Sequence, residues 1–182
     1  MTRHIPMSAR GVLIAAVAGM LTLGAALPAS AAPGDTTATV TVTGGFLSIT
    51  VPADAGSLGT RGNTVGGGII SGSLGQVQVE DARSAAAGSG WVTSVISSAF
   101  TPTSGPALAA SLVGYSSGAI TKVGTATYVA NNPVDLTGVA PAVTATGITG
   151  DNSATWNPTI NVSVPGGTVA GTYSAVITHS VL

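Results

Sequence analysis

Few side chains in this sequence are equipped for chemistry, and their spacing limits what they can do. Past residue 10 there are three cations, Arg61, Arg83 and Lys122, and one histidine, His179. The six carboxylates are Asp35, Asp54, Glu80, Asp81, Asp135 and Asp151. A Ser-His-acid triad would have to use His179, and no Gly-x-Ser-x-Gly elbow accompanies it. His179 alternates with Ile177 and Val181, which places it on the apolar face of a strand as a packed or rim residue. Glu80 and Asp81 are adjacent, so on a strand they leave opposite faces and cannot flank one bond. Asp81 and Arg83 are two apart and share a face, the spacing of a local ion pair or a hydrogen-bonded strand end.

Other chemistries find less. Asp151-Asn152 offers oxygens for calcium, but the spaced aspartates of a calcium loop are missing, so no metal site is indicated. Gly56-x-x-Gly59 and Gly66-Gly67-Gly68 do not lead into Lys-Ser/Thr, so there is no phosphate cradle. With no cysteine, the chain has no disulfide framework, thiolate metal site or thiol nucleophile. Asn161-Val162-Ser163 matches a glycosylation sequon inside a strand-like run, where chance is the simplest account. Five Lys+Arg against six Asp+Glu leave too few cations to neutralise a nucleic-acid backbone. The expectation is a protein without enzymatic activity, cofactor or metal.

The elements that must carry these residues read as strands. Arg3 and Arg10 precede an uncharged apolar run over residues 11–27, followed by Ala29-Ser30-Ala31. A basic start, an apolar core and a small-residue cleavage site make a secretory signal, with cleavage expected after Ala31 and no membrane attachment afterwards. The remaining 151 residues, 32–182, hold 50 Val, Thr and Ile, side chains that suit a pleated surface. Low charge with 45% hydrophobic residues argues for a folded chain.

Apolar and polar residues alternate in Thr39-Val40-Thr41-Val42-Thr43, in Phe46-Leu47-Ser48-Ile49-Thr50-Val51 and in Gln76-Val77-Gln78-Val79-Glu80. The same period of two runs through residues 159–164 and 173–178, with further strands over 91–97, 112–115 and 120–130, the last broken at Gly124. Residues 53–74, 82–90 and 137–154 read as Gly/Ser/Ala loops, and residues 106–113 as a segment able to form a helical turn. About eight strands in one domain predict an all-β fold, an Ig-like or Greek-key β-sandwich. Its scarce aromatics include Trp91 and Trp156; in a small sandwich a tryptophan anchors the core or, less often, offers a ligand platform.

The order of several motifs resembles the WxL domain of Gram-positive surface proteins. These are Phe46-Leu47-Ser48-Ile49, then Leu74-Gly75-x-Val77-x-Val79-x-Asp81-x-Arg83, Gly90-Trp91 and Phe100, and an ending that includes Ala170-Gly171-Thr172-Tyr173-Ser174-Ala175-Val176-Ile177-Thr178. The first Trp-x-Leu of that family falls on Trp91-Val92-Thr93 and the second on His179-Ser180-Val181, so Trp91 is kept while Leu, Trp and Leu are replaced. The resemblance implies a β-rich domain held non-covalently to the cell wall, to peptidoglycan, beside partner surface proteins. On that basis Trp91, Tyr173 and His179 are the expected binding residues, with Asp81 and Arg83 shaping the adjacent turn. A second expectation is a structural subunit of a surface fibre or complex, because residues 37–43 and the last strand could add to a neighbour's sheet edge.

Overall fold

A computed structural model describes residues 37–182, so the expected signal segment and its cleavage site lie outside the described residues. Thr41–Leu182 forms one compact unit, and residues 37–40 are exposed and without regular structure. The unit is all-β, with ten strands and one 3-10 turn at Ala110–Leu112, inside the stretch expected to form a helical turn. The strands are β1 Leu47–Thr50, β2 Gly68–Ser73, β3 Val77–Ser97, β4 Thr101–Pro102, β5 Val113–Ser116, β6 Ile120–Ala130, β7 Ala140–Trp156, β8 Thr159–Val164, β9 Tyr173–Ser174 and β10 Ile177–Val181.

Five strands make the larger sheet, in the order β1-β3-β7-β6, all antiparallel. β10 lies on the same edge of β3 as β1, one at each end: β1 pairs with residues 78–81 and β10 with residues 93–97. The smaller sheet runs β2-β8-β5, and β4 pairs with β9. Val95 and Ala142 from the larger sheet meet Val113, Tyr115, Ile160 and Val162 from the smaller one in a buried layer, as two stacked sheets require.

The main departure from the sequence reading is that two of the expected loops are strand. Residues 82–90 and 140–154 lack clean alternation, yet they join shorter runs into the 21-residue β3 and the 17-residue β7, with Ala85 pairing Gly150 and Ser89 pairing Ile148 between them. Ten residue steps from Asp81 to Trp91 face seven from Asn152 back to Ala145, so β3 carries bulges. Ser84 and Gly150 hold left-handed backbone there, with φ of 54° and 70°, and the amide of Ser84 donates to Asp151 Oδ1 at 2.8 Å. Bulges bend a strand. Val77 and Val79 from one end of β3 thereby meet Trp91 from the other in a second buried cluster, with Ile148, Ala154 and Trp156 of β7.

Other elements fall close to expectation. β6 and β8 occupy the expected residues, and the register of β6 shifts around Gly124. The run over 173–178 is divided into β9 and β10, and β2 forms inside the expected loop over 53–74. The expected strand over residues 37–43 is not formed: Val40 and Val42 are 89% and 83% exposed and lie outside every strand among the described residues.

Candidate functional site

The carboxylate of Asp81 is the centre of the most developed polar cluster. β1 and β7 flank it in register, at Leu47 and Asn152, and its residue is fully buried. Arg83, two positions on along β3, returns to it with both arms of the guanidinium, Nε to Oδ1 at 2.8 Å and Nη2 to Oδ2 at 2.9 Å. The Arg83 amide adds a bond to Oδ1 at 3.2 Å, and Nη2 also reaches the Gly90 carbonyl at 3.3 Å. The Asn152 amide donates to Oδ2 at 3.2 Å. The Arg83 hydrogen bond leads in holding the Asp81 carboxyl below the usual carboxylate range, against the opposing effect of burial. The same bond raises Arg83.

Asn152 passes this network inward. Its Oδ1 accepts the Trp91 indole N–H at 3.0 Å and lies 3.1 Å from the Tyr128 hydroxyl. An indole nitrogen is a donor only, so the amide oxygen must face Trp91 and the amide nitrogen must face Asp81. The Trp91 and Tyr128 rings sit 5.6 Å apart at a tilt of 56°, and Lys122 Nζ stands 5.7 Å over the Tyr128 ring. Burial, and then the Asp81 charge, push the Tyr128 hydroxyl upward. Trp91 is 2% exposed. An indole so enclosed has no face to stack on a sugar, so its role as a direct ligand platform is corrected to that of a core anchor.

His179 belongs to a different cluster. The Tyr115 hydroxyl accepts the Trp156 indole N–H at 2.8 Å and lies 3.3 Å from His179 Nε2. The Tyr115 hydroxyl and His179 Nε2 share one hydrogen bond, whose direction follows the imidazole tautomer. Burial drives the imidazole down to about 4 and the Tyr115 phenol up to about 12. Both groups are neutral at pH 7, and the histidine is tuned away from proton transfer near neutrality. Trp156, 2% exposed, is the second core tryptophan.

Tyr173 stands in a third place. Its hydroxyl donates to the Val169 carbonyl at 2.7 Å, and its backbone pairs with Pro102. The five expected residues therefore divide: Asp81, Arg83 and Trp91 meet in one network, while His179 and Tyr173 each serve another. The expected ion pair between Asp81 and Arg83 is present, and Glu80 is exposed on the opposite face. Sequence reasoning missed Asn152 and Tyr128 as members of the network and Tyr115 as the partner of His179. The signal for Asn152 was its position beside Asp151, a pair weighed as a source of oxygens for calcium and set aside; Asp151 holds the Ser84 amide.

No group of three or more metal-ligating His, Cys, Asp or Glu side chains occurs among the described residues. Two shallow surface depressions are present, one of about 230 Å³ beside Tyr115, Pro133 and Asn161, the other of about 280 Å³ along β4 and β9. Both fall below the roughly 300–1,000 Å³ of small-molecule sites. Comparison with protein-family models, characterised proteins and solved structures gave no match.

Proposed function

We propose that this chain is an exported, non-enzymatic protein of the cell surface that works as a binding and structural module, engaging wall-associated partners through exposed strand edges. The observation that carries the reading is the free edge of β6, eleven residues that pair with β7 alone among the described residues. The side chains with chemical potential support it from the other side. Asp81, Arg83 and His179 are committed to bonds within the fold, and no buried side-chain nitrogen or oxygen among the described residues is left without a partner. Export rests on the leader pattern, and the wall on the resemblance in residues 46–100 and 165–182.

Of the two surface roles, partner binding is favoured over direct stacking on peptidoglycan, because the tryptophan that would stack is enclosed. The test is retention of residues 32–182 on purified walls, assayed with walls that keep their proteins and with stripped walls. Retention on the first and loss from the second is the expected result. A protein left wholly in the supernatant with both, at physiological salt, refutes the reading.

A further inference from the structure

We infer that the partner for the β6 edge is a second copy of this chain, whose residues 39–43 add to it as a strand. This deepens the reading above and rests on it. The donor is Thr39-Val40-Thr41-Val42-Thr43, strictly alternating, uncharged and free of glycine and proline. Within its own chain it forms no strand, and it leaves both valines exposed to water. Such a segment has the composition of a strand and lacks only a ladder.

Its own sheet cannot supply that ladder. The Gly45 amide still bonds to the Ala82 carbonyl at the β1 edge, but two residues further along, Ser84 holds left-handed backbone and the register of β3 is interrupted by a bulge. The stretch of that edge beside β1 ends there, and β10 occupies the edge again at residues 93–97.

The acceptor is the second half of β6. Its first half is guarded in the manner of natural edges, by Lys122 and by the bulge at Gly124. Residues 125–130 carry no charge and no proline, and Val129 is 51% exposed. Ala126 and Tyr128 face the second buried cluster from its rim. A strand laid against this edge with its valines on the Ala126 and Tyr128 side would extend that cluster, leaving its threonines beside Thr127.

β1, the strand that follows the donor in the chain, and β6 lie at opposite edges of one sheet, with β3 and β7 between them. A strand added outside β6 stands four strand spacings from β1, roughly 19 Å at ~4.8 Å each. Crossing it would consume the whole of a five-residue segment, so a chain cannot readily fill its own edge. Each copy thus offers one donor and one acceptor at different places, an interface that builds head-to-tail chains rather than a closed dimer.

The absence of cysteine makes a direct test clean. Residues 32–182 are prepared with Thr41→Cys, with Thr127→Cys and, as a control on the β1 edge, with Ser48→Cys, all three at exposed positions. Equal mixtures are treated with a short bis-maleimide. Self-addition predicts that the Thr41→Cys and Thr127→Cys mixture yields about tenfold more cross-linked dimer than the Thr41→Cys and Ser48→Cys mixture. It also predicts concentration-dependent oligomers in size-exclusion chromatography, lost in V40K/V42K while the circular dichroism stays that of the parent. Equal yields in the two mixtures, a parent that stays monomeric at high concentration, or V40K/V42K assembling as well as the parent each overturn the inference. A monomer still retained on protein-bearing walls overturns self-addition alone; oligomers that no wall retains overturn the surface reading and leave self-addition standing.

Discussion

Replacing Asn152 by alanine is the sharpest probe of the buried network, because one side chain serves three partners. The change removes the acceptor of the Trp91 indole N–H, a donor to Asp81 Oδ2 and a partner of the Tyr128 hydroxyl. These losses are unequal. The indole is 2% exposed and has no other partner among the described residues, so it bears the full cost of an orphaned buried donor, about 1–3 kcal/mol. Asp81 keeps its three bonds from Arg83, and Tyr128 has the Ser153 carbonyl at 3.4 Å, so each adds less. The expected total is about 2–4 kcal/mol, which in a domain of this size lowers Tm by about 5–15 °C. Urea titration followed by tryptophan fluorescence measures it. Trp91→Phe supplies the control, since it removes the donor that Asn152 satisfies; in that background Asn152→Ala should cost about 1–2 kcal/mol less. A cost below about 0.5 kcal/mol in the parent, or strict additivity of the two changes, would refute the network as a stabilising unit.

Three further outcomes are expected. Because burial lowers His179 to about 4 from 6.5, the unfolded chain binds the extra proton first, so stability is full above pH 6.5 and falls as pH drops toward 4, by up to ~3 kcal/mol. Urea midpoints should show that slope and His179→Phe should flatten it; a parent with no pH dependence in this window contradicts the burial of the ring. Asp81, held below 3.8, acts in a separate window: its contribution is present above the ordinary carboxylate pKa and disappears only as pH falls through the lowered value. Gly124→Ala should destabilise by about 2 kcal/mol or more, because the residue has φ of 85° and a Cβ would lie 2.5 Å from the Asp151 carbonyl oxygen; a neutral thermal melt would count against the bulge. Acrylamide should quench native fluorescence weakly, both indoles being 2% exposed, and quenching equal to that of the urea-unfolded chain would place a tryptophan at the surface.

The all-β architecture was legible because β-branched residues and period-two runs report directly on a half-buried pleat, as β6 and β8 illustrate. The middle of β3 and β7 was not legible. Ser84-Ala85-Ala86-Ala87-Gly88 has loop composition, and what makes it strand is a cross-strand partner around Gly150, which local sequence does not encode. The ion pair of Asp81 with Arg83 followed from a spacing of two on one strand, a local fact. Its connection through Asn152 to Trp91 spans 71 and 61 positions and appears only once the register is known. For the same reason Trp91 could be read as platform or anchor until its surroundings closed over it. The strand expected over residues 37–43 failed differently: the pattern is present, and the ladder is missing.

That failure gives the edges of the larger sheet their meaning. Sheets that must stay solitary blunt their edges along the whole length, with charges, proline or bulges. Here β6 has one such half and one bare half, and the bare half exposes Val129. A chain selected only to remain a monomer would gain from a second lysine at position 127 or 129, placed where it disturbs no buried side chain. Introducing Val129→Lys in residues 32–182 separates the two views. If the bare half is an unguarded accident, the variant matches the parent in oligomeric state and in retention on protein-bearing walls. If it is the working surface, the variant keeps its fold and melting temperature yet loses assembly, because a charge beside an incoming uncharged strand has no partner to meet.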